Sequence, residues 1–232
     1  MEADKDVAAC ATLVGDRTRV SMLLALSEES DGLPAGELAR RARVSAATAS
    51  SHLGKLVAGG LITVERQGRQ RYYRLAGREV AHALEALATI APSQPIRSLR
   101  DEKLGEAIRV ARMCYDHLAG RLGVALAEAF ERNGLLVFGD TGYAVTRRGE
   151  RALASFGLDV EALRGHRRPL VRTCLDWSER RFHLAGALGA AVTTRLFELG
   201  WIERVGTGRA VRATQPGRAG LRDTFRLTYD DM

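Results

Sequence analysis

Residues 37–75 read ELARRARVSAATASSHLGKLVAGGLITVERQGRQRYYRL, and the order of signals in this stretch decides the fold around it. Glu37-Leu38-Ala39 opens a short helix that stops before Val44. Ser45 has the side-chain oxygen of a helix N-cap, and the helix it starts runs to Ala58, where Gly59-Gly60 ends it. On that second helix Leu53, Leu56 and Val57 form the core stripe. Ala47, Thr48, Ser51, His52 and Lys55 fall largely on other faces, with Ser50 near the boundary. Two β-like runs come next, residues 61–66 and 71–75, joined by the turn Gln67-Gly68-Arg69-Gln70. Two helices and then a basic hairpin make a helix-turn-helix with a wing.

Upstream, residues 7–14 (VAACATLV) and 20–26 (VSMLLAL) are apolar and helical in period. Gly15-Asp16 separates them, with Asp16 placed to cap the second. The charge pattern gives the winged segment a partner. Between Arg40 and Arg78 the basic residues are Arg40, Arg41, Arg43, Lys55, Arg66, Arg69, Arg71, Arg74 and Arg78, against the single acid Glu65. Such a stretch attracts a polyanion such as double-stranded DNA. A helix face of small polar side chains can lie close to base edges, so Ser45, Ala47, Thr48, Ser50, Ser51, His52 and Lys55 are the expected recognition residues. Arg66, Gln67, Arg69, Gln70 and Arg71 are the expected wing contacts, mainly to phosphate.

The motif VSxxTxSxHLxxLxxxGL followed by a basic wing, with GDRTRVSMLLAL ahead of it, resembles the ArsR/SmtB family of bacterial winged-helix repressors over roughly residues 5–91. The resemblance implies a dimer packed through the first and last helices of the domain. Its two recognition helices would then enter successive major grooves about one turn apart. Ser45, Thr48, Ser50 and His52 match the motif positions of that family's recognition helix. The familiar metal sites of the family are missing. The helix before the recognition helix, ELARRARV, has no cysteine, and the helix after the wing offers only Glu79, His82 and Glu85. Of these, Glu79 and His82 are three apart and could share a face, but two ligands make a poor site.

APSQP, residues 91–95, reads as a linker, and the compact family members end near it. The C-terminal half of the chain contains two similar segments, starting at Cys114 and Cys174. Each has Cys-x-Asp, then His-Leu-Ala-Gly-x-Leu-Gly from His117 or His183, then a helix ending in Gly134 or Gly200, a hairpin, and a Thr-x-x-Gly helix start. The rhythm matches the first domain, so the second half is expected to be two degenerate winged-helix-like repeats. Cys114 and His117, three residues apart, would share one helical face, as a soft-metal site needs. Cys174 and His183 are nine apart, which predicts that the repeats are not equivalent as ligand sets. Cys114, Tyr115, Asp116, His117, Cys174, Asp176, Trp177 and His183 are the candidate effector residues, for a soft metal or a small organic molecule. Burial of the thiols, with His and Asp as helix caps, reads the same residues as packing.

The chain has 232 residues, 46% hydrophobic and 27% charged, with formal net charge +7. Wholesale disorder is excluded. The longest apolar run, residues 184–199, is broken by Arg195, and MEADKD at the start is acidic. Three cysteines argue against a disulfide framework. No Gly-rich phosphate loop, GxSxG or HExxH occurs, so no enzyme is expected. The expected protein is mainly α with small β-hairpins (α+β), cytoplasmic, with no membrane partner. It comprises a DNA-binding domain at 1–91, a linker and connecting helix at 92–113, and a duplicated sensor or dimer-bracing domain at 114–232. Its expected role is that of a sequence-specific homodimeric repressor, needing no cofactor to bind DNA and released by an effector through its C-terminal half. The alternatives are a C-terminal half that only braces the oligomer, and a thiol redox or metal sensor using Cys114 and Cys174.

Overall fold

The computed structural model describes residues 4–29, 31–92, 98–139, 142–165, 167–206 and 208–228, the Arg100 side chain excepted. Ser93-Gln94-Pro95 of the expected linker lie outside the described residues. The chain forms two units, Met1–Leu84 and Glu85–Met232.

The first unit begins with α1 (Val7–Val14) and α2 (Arg17–Ser27). Asp16 caps α2 as its position predicts, its Oδ1 accepting from the Arg19 amide at 2.9 Å. The Arg19 guanidinium, buried, donates to the carbonyls of Leu13 and Thr12 and so satisfies the free C-terminal end of α1. Then come β1 (Leu33–Pro34), α3 (Ala35–Ala42) and α4 (Ala46–Ala58). Arg43, at φ 56°, makes the left-handed turn between the two helices, and Ser45 caps α4 by accepting from the Thr48 amide. The buried stripe of α4 is Ala49, Leu53 and Leu56; Val57 is half-buried, because 49, 53 and 56 fall at i, i+4 and i+7. β2 (Ile62–Gln67) and β3 (Gln70–Leu75) form the hairpin, and β1 adds to β3 to give a three-stranded antiparallel sheet in the order β1-β3-β2. Met22, Leu23, Leu26, Leu38, Leu53 and Leu56 fill the core between helices and sheet. This is a winged helix-turn-helix. α5 (Arg78–Ile90) leaves the wing and runs on into the second unit.

After the end of α5 the second unit continues with α6 (Leu99–Val110) and then repeats itself. The first repeat is β4 (Arg112–Cys114), β5 (His117–Ala119), α7 (Gly120–Arg132), β6 (Leu136–Gly139), β7 (Gly142–Val145), α8 (Arg147–Ser155) and the short α9 (Val160–Arg164). The second is β8 (Arg172–Leu175), β9 (Phe182–Ala185), α10 (Gly186–Glu198), β10 (Ile202–Arg204), β11 (Val211–Ala213) and α11 (Gln215–Phe225). Each opens on a hairpin; the helix, hairpin and helix after it are its winged-helix-like part. The Thr-x-x-Gly starts are N-caps in both: Thr146 accepts from the Gly149 amide and Thr214 from the Gly217 amide.

The repeats interlock. Gly123 on α7 lies against His183 of the other repeat, and Gly189 on α10 lies against His117. A Cβ on either glycine would fall 2.5 Å from the carbonyl oxygen of Leu118 or Leu184, so only glycine lets each helix start this close to its own hairpin. Leu122, Phe130, Leu188, Leu196, Leu221 and Phe225 make one shared core for both repeats. Among the described residues, no helix is long and apolar enough to cross a membrane.

Candidate nucleic-acid interface and a buried cysteine–histidine cluster

α4 presents Ser45, Ala47, Thr48, Ser50, Ser51 and Lys55 to solvent. His52 differs from them: it is half-buried and turned toward Asp16, with Nδ1 3.6 Å from Oδ1. In the wing, Arg66, Gln67, Arg69, Gln70 and Arg71 are all exposed around Gly68. The basic stretch divides into two sets. Arg40 and Arg41 are tied to Glu37, Arg41 also to Glu28 and Glu29, Arg74 to Glu65, and Arg78 to Glu79. Arg43, Lys55, Arg66, Arg69 and Arg71 have no acidic partner among the described residues. The unneutralised charge thus sits on the helix-turn-helix turn, the exposed face of α4 and the wing tip.

The second site is in the C-terminal unit. Cys114 and His117 are not on a helix: they face each other across the β4–β5 hairpin, separated by a two-residue turn in which Tyr115 takes φ 59°. Cys174 and His183 face each other in the same way across β8–β9. The expectations of a shared helical face and of inequivalent ligand sets are therefore both corrected. Strand register, not sequence spacing, sets the pairing, and the longer 176–181 loop accounts for a separation of nine instead of three. The two hairpins bring all four side chains together, with donor atoms within 4.8 Å of one another. Cys114, His117 and His183 are buried and Cys174 is half-buried. The sulfurs are 3.9 Å apart and the imidazole centroids 5.1 Å apart.

Each histidine is backed by the aspartate of its own Cys-x-Asp. Asp116 Oδ1 is 3.1 Å from His117 Nδ1, and Asp176 Oδ2 is 3.4 Å from His183 Nδ1, an approach that falls short of a hydrogen bond. Each aspartate is held in turn by an arginine: Arg168 Nη1 reaches Asp116 at 2.5 Å and Arg112 Nη2 reaches Asp176 at 3.0 Å. Asp176 also accepts from the amides of Gly120, Ser178 and Glu179 and from the Ser178 hydroxyl. Burial opposes its ionisation, yet Arg112 and these donors hold its carboxyl down at about 2. Cys114 is pushed up by its contact with the Cys174 sulfur and then by burial. Cys174 is drawn down by the same contact and, against its own burial, by His117 and His183. Burial works against a charged His117, but Asp116 and Cys174 outweigh it and raise its pKa.

Arg112, wholly buried, was not singled out by the sequence; nor were Arg168 and Thr193, and Glu85 was weighed only as a metal ligand on the helix after the wing. Arg112 lies over the Trp177 ring at 4.6 Å and stands 3.9 Å from Glu85 of α5, which Arg209 holds at 2.7 Å. Thr193 accepts from the Leu118 amide and so ties α10 to the first hairpin. The one available signal was the repeated Cys-x-Asp, which marks the aspartates but not the arginines. Tyr115 and Trp177 are half-buried beside the cluster in sequence. A cavity of about 470 Å³ beside α8 and α9, lined by Glu150, Leu158, Asp159 and Val160 among others, includes none of the candidate effector residues.

A winged helix-turn-helix with its unpaired cations on recognition helix and wing is the architecture of a DNA-binding regulator. Comparison with known proteins agrees. Residues 14–65 match a helix-turn-helix domain family. The chain is 44% identical over 215 residues, 92% of its length, to the uncharacterized HTH-type transcriptional regulator YdfF of Bacillus subtilis (strain 168), covering 94% of that protein. It thus belongs to the helix-turn-helix transcriptional regulators. Among solved structures it is similar to the transcriptional repressor BigR of Xylella fastidiosa, at 28% identity, TM-score 0.35, over 38% of this chain and 89% of that one. It is also similar to the homodimeric winged helix-turn-helix DNA-binding domain of a possible ArsR-family regulator from Mycobacterium bovis. That match has 26% identity and TM-score 0.34, over 39% of this chain and 89% of that one.

Proposed function

We propose that this regulator is a homodimeric repressor of the bacterial cytoplasm, and that its C-terminal unit receives an effector that releases it from its operator. Residues 1–91 act as the DNA-binding domain, 92–113 as the connection, and 114–232 as the sensor. The observation that carries the DNA half is the set Arg43, Lys55, Arg66, Arg69 and Arg71, unpaired around the small, exposed face of α4. Ser45, Ala47, Thr48, Ser50 and Ser51 lie at base edges and Lys55 lies toward phosphate, while His52, half-buried and turned toward Asp16, steadies α4 against α2. Gln67 and Gln70 flank the wing arginines at the backbone.

Dimerisation is supported by α1 and α5. α1 is apolar, yet buries none of its residues; Val7 is 73% exposed, and Leu87 and Ile90 on α5 are 44% and 78% exposed. Apolar helix faces left to solvent in this way are characteristic of an association surface.

The test is selection of DNA from a random-sequence pool, followed by anisotropy titration of the winner. The expected site is a pseudo-palindrome with half-sites one helical turn apart, bound far more tightly than unrelated duplex. Equal affinity for the selected and a scrambled duplex would refute sequence-specific repression.

A further inference from the structure

We propose that Cys114, His117, Cys174 and His183 form a four-ligand site for a divalent cation of the zinc class, and that occupancy of this site is the signal the C-terminal unit receives. The signalling half rests on the repressor reading above; the binding half stands without it.

The geometry points to an ion. A tetrahedral cation with metal–sulfur bonds of about 2.3 Å holds two thiolates about 3.8 Å apart, and the sulfurs of Cys114 and Cys174 are already 3.9 Å apart. All four donors lie within 4.8 Å, so small closures complete the tetrahedron. Nε2 of His117 and Nε2 of His183 are buried with no hydrogen-bond partner. Buried polar atoms are normally hydrogen-bonded, and one ion shared by the two rings would satisfy both nitrogens. The opposite nitrogen of each ring lies against an aspartate, Asp116 or Asp176. At His117 that is the carboxylate–histidine–metal arrangement, a hydrogen bond that fixes the tautomer and leaves Nε2 free to ligate; at His183 the aspartate stands 3.4 Å away, in position to do the same once the ring shifts slightly. An aspartate thus stands behind the histidine in both repeats.

Charge selects the class of ion. Two thiolates and two neutral imidazoles bring two negative charges into a nearly dry site. The flanking aspartates are already balanced by Arg168 and Arg112. A divalent ion cancels the remainder, whereas a monovalent one leaves a buried net charge. Two sulfur and two nitrogen donors in tetrahedral array favour zinc over the oxygen-seeking calcium and magnesium. The site also has a path outward: His183 faces Asp176, Asp176 pairs with Arg112, and Arg112 approaches Glu85 on α5, the helix after the wing. Closure of the ligands onto an ion therefore bears on that helix.

The decisive experiment is a Co(II) titration of the full chain, purified with chelator and kept reduced, followed by Zn(II). We expect one equivalent bound per chain, the intense visible bands of tetrahedral Co(II), a near-ultraviolet thiolate charge-transfer band, and loss of both on adding Zn(II). Asp116→Asn should keep the spectrum and weaken affinity about 10- to 100-fold, while Cys174→Ser should diminish the charge-transfer band. The site is overturned if wild-type chain gives only the weak spectrum of octahedral Co(II). It is equally overturned if the bands survive in the Cys114→Ser, Cys174→Ser pair, or if a Cys114–Cys174 disulfide forms in a chain that takes up no metal when reduced. For signalling, Zn(II) should change operator affinity at least tenfold in wild type and leave Cys174→Ser unchanged. Operator binding indifferent to Zn(II) would overturn the signal. Absence of operator binding with and without metal would instead sink the repressor reading, while the Co(II) spectrum still decides the site.

Discussion

The guanidinium of Arg112 and the carboxylate of Asp176, 64 residues apart in the chain, meet at 3.0 Å with neither side chain touching solvent. The pair joins the first hairpin of one repeat to the loop of the other. Replacing only one partner of a buried pair typically costs about 3–5 kcal/mol, and without Arg112 the Asp176 carboxylate keeps its hydrogen bonds but loses its counter-charge. Arg112→Met should therefore destabilise the C-terminal unit by about that amount in urea unfolding. A loss under about 1 kcal/mol would mean that water reaches Asp176.

The wing and the recognition helix should respond differently to substitution. Arg69→Ala and Arg71→Ala should weaken binding to every duplex alike, each lowering the salt slope by about one, if the proposed wing contacts are to phosphate. Thr48→Ala should alter sequence preference with little change in that slope. Identical behaviour of all three in anisotropy titrations would remove the distinction between the two surfaces.

Light scattering should find twice the 25.2 kDa chain mass at micromolar concentration. Leu87→Glu with Ile90→Glu, which puts charge on the apolar face of α5, should shift the protein toward the monomer. A wild-type monomer would exclude α1 and α5 as an association surface.

Glu37 supplies a pH dependence. Hydrogen bonds from Arg40 and then Arg41 hold its carboxyl down at about 2. A carboxyl whose folded pKa is depressed adds stability that is complete above its unfolded pKa, about 4.3, and is lost as pH falls through the folded value. Stability of the N-terminal unit should decline between these two values, and Glu37→Gln should flatten that decline in acid titrations followed by circular dichroism. An unchanged acid limb would show that the Arg40 and Arg41 pairs are loose in solution.

Gly189→Ala should be costly although alanine is the better helix former. The added methyl would meet the Leu184 carbonyl oxygen at 2.5 Å, and backbone cannot swing aside as a side chain can. The expected cost is about 1–3 kcal/mol, seen as a lower melting temperature. Gly54→Ala on α4, with open space around it, is the control and should be neutral or stabilising.

The winged domain was legible because its signals are local. Asp16, Ser45 and Gly59 mark helix ends within one turn of the groups they satisfy, and the alternating hairpin comes directly after them. The C-terminal cluster was legible only in composition. A spacing of three fits a helical turn as well as a tight hairpin, and Cys114-Tyr115-Asp116-His117 is a hairpin. The equivalence of Cys174 with His183 was hidden by a loop insertion that register ignores. Arg112 could not be read at all, since its partner is set by the packing of two repeats and nothing adjacent in sequence announces it.

The interlocked hairpins also bear on how the molecule is made. One half of the Cys–His cluster is complete once His117 has been synthesised, but the other half arrives only with β9, which ends at Ala185. A nascent or truncated chain carries a single Cys–His pair, too few donors to hold anything firmly. The cluster is thus a late product of biosynthesis. Its formation reports that the opening hairpins of both copies have left the ribosome and found each other.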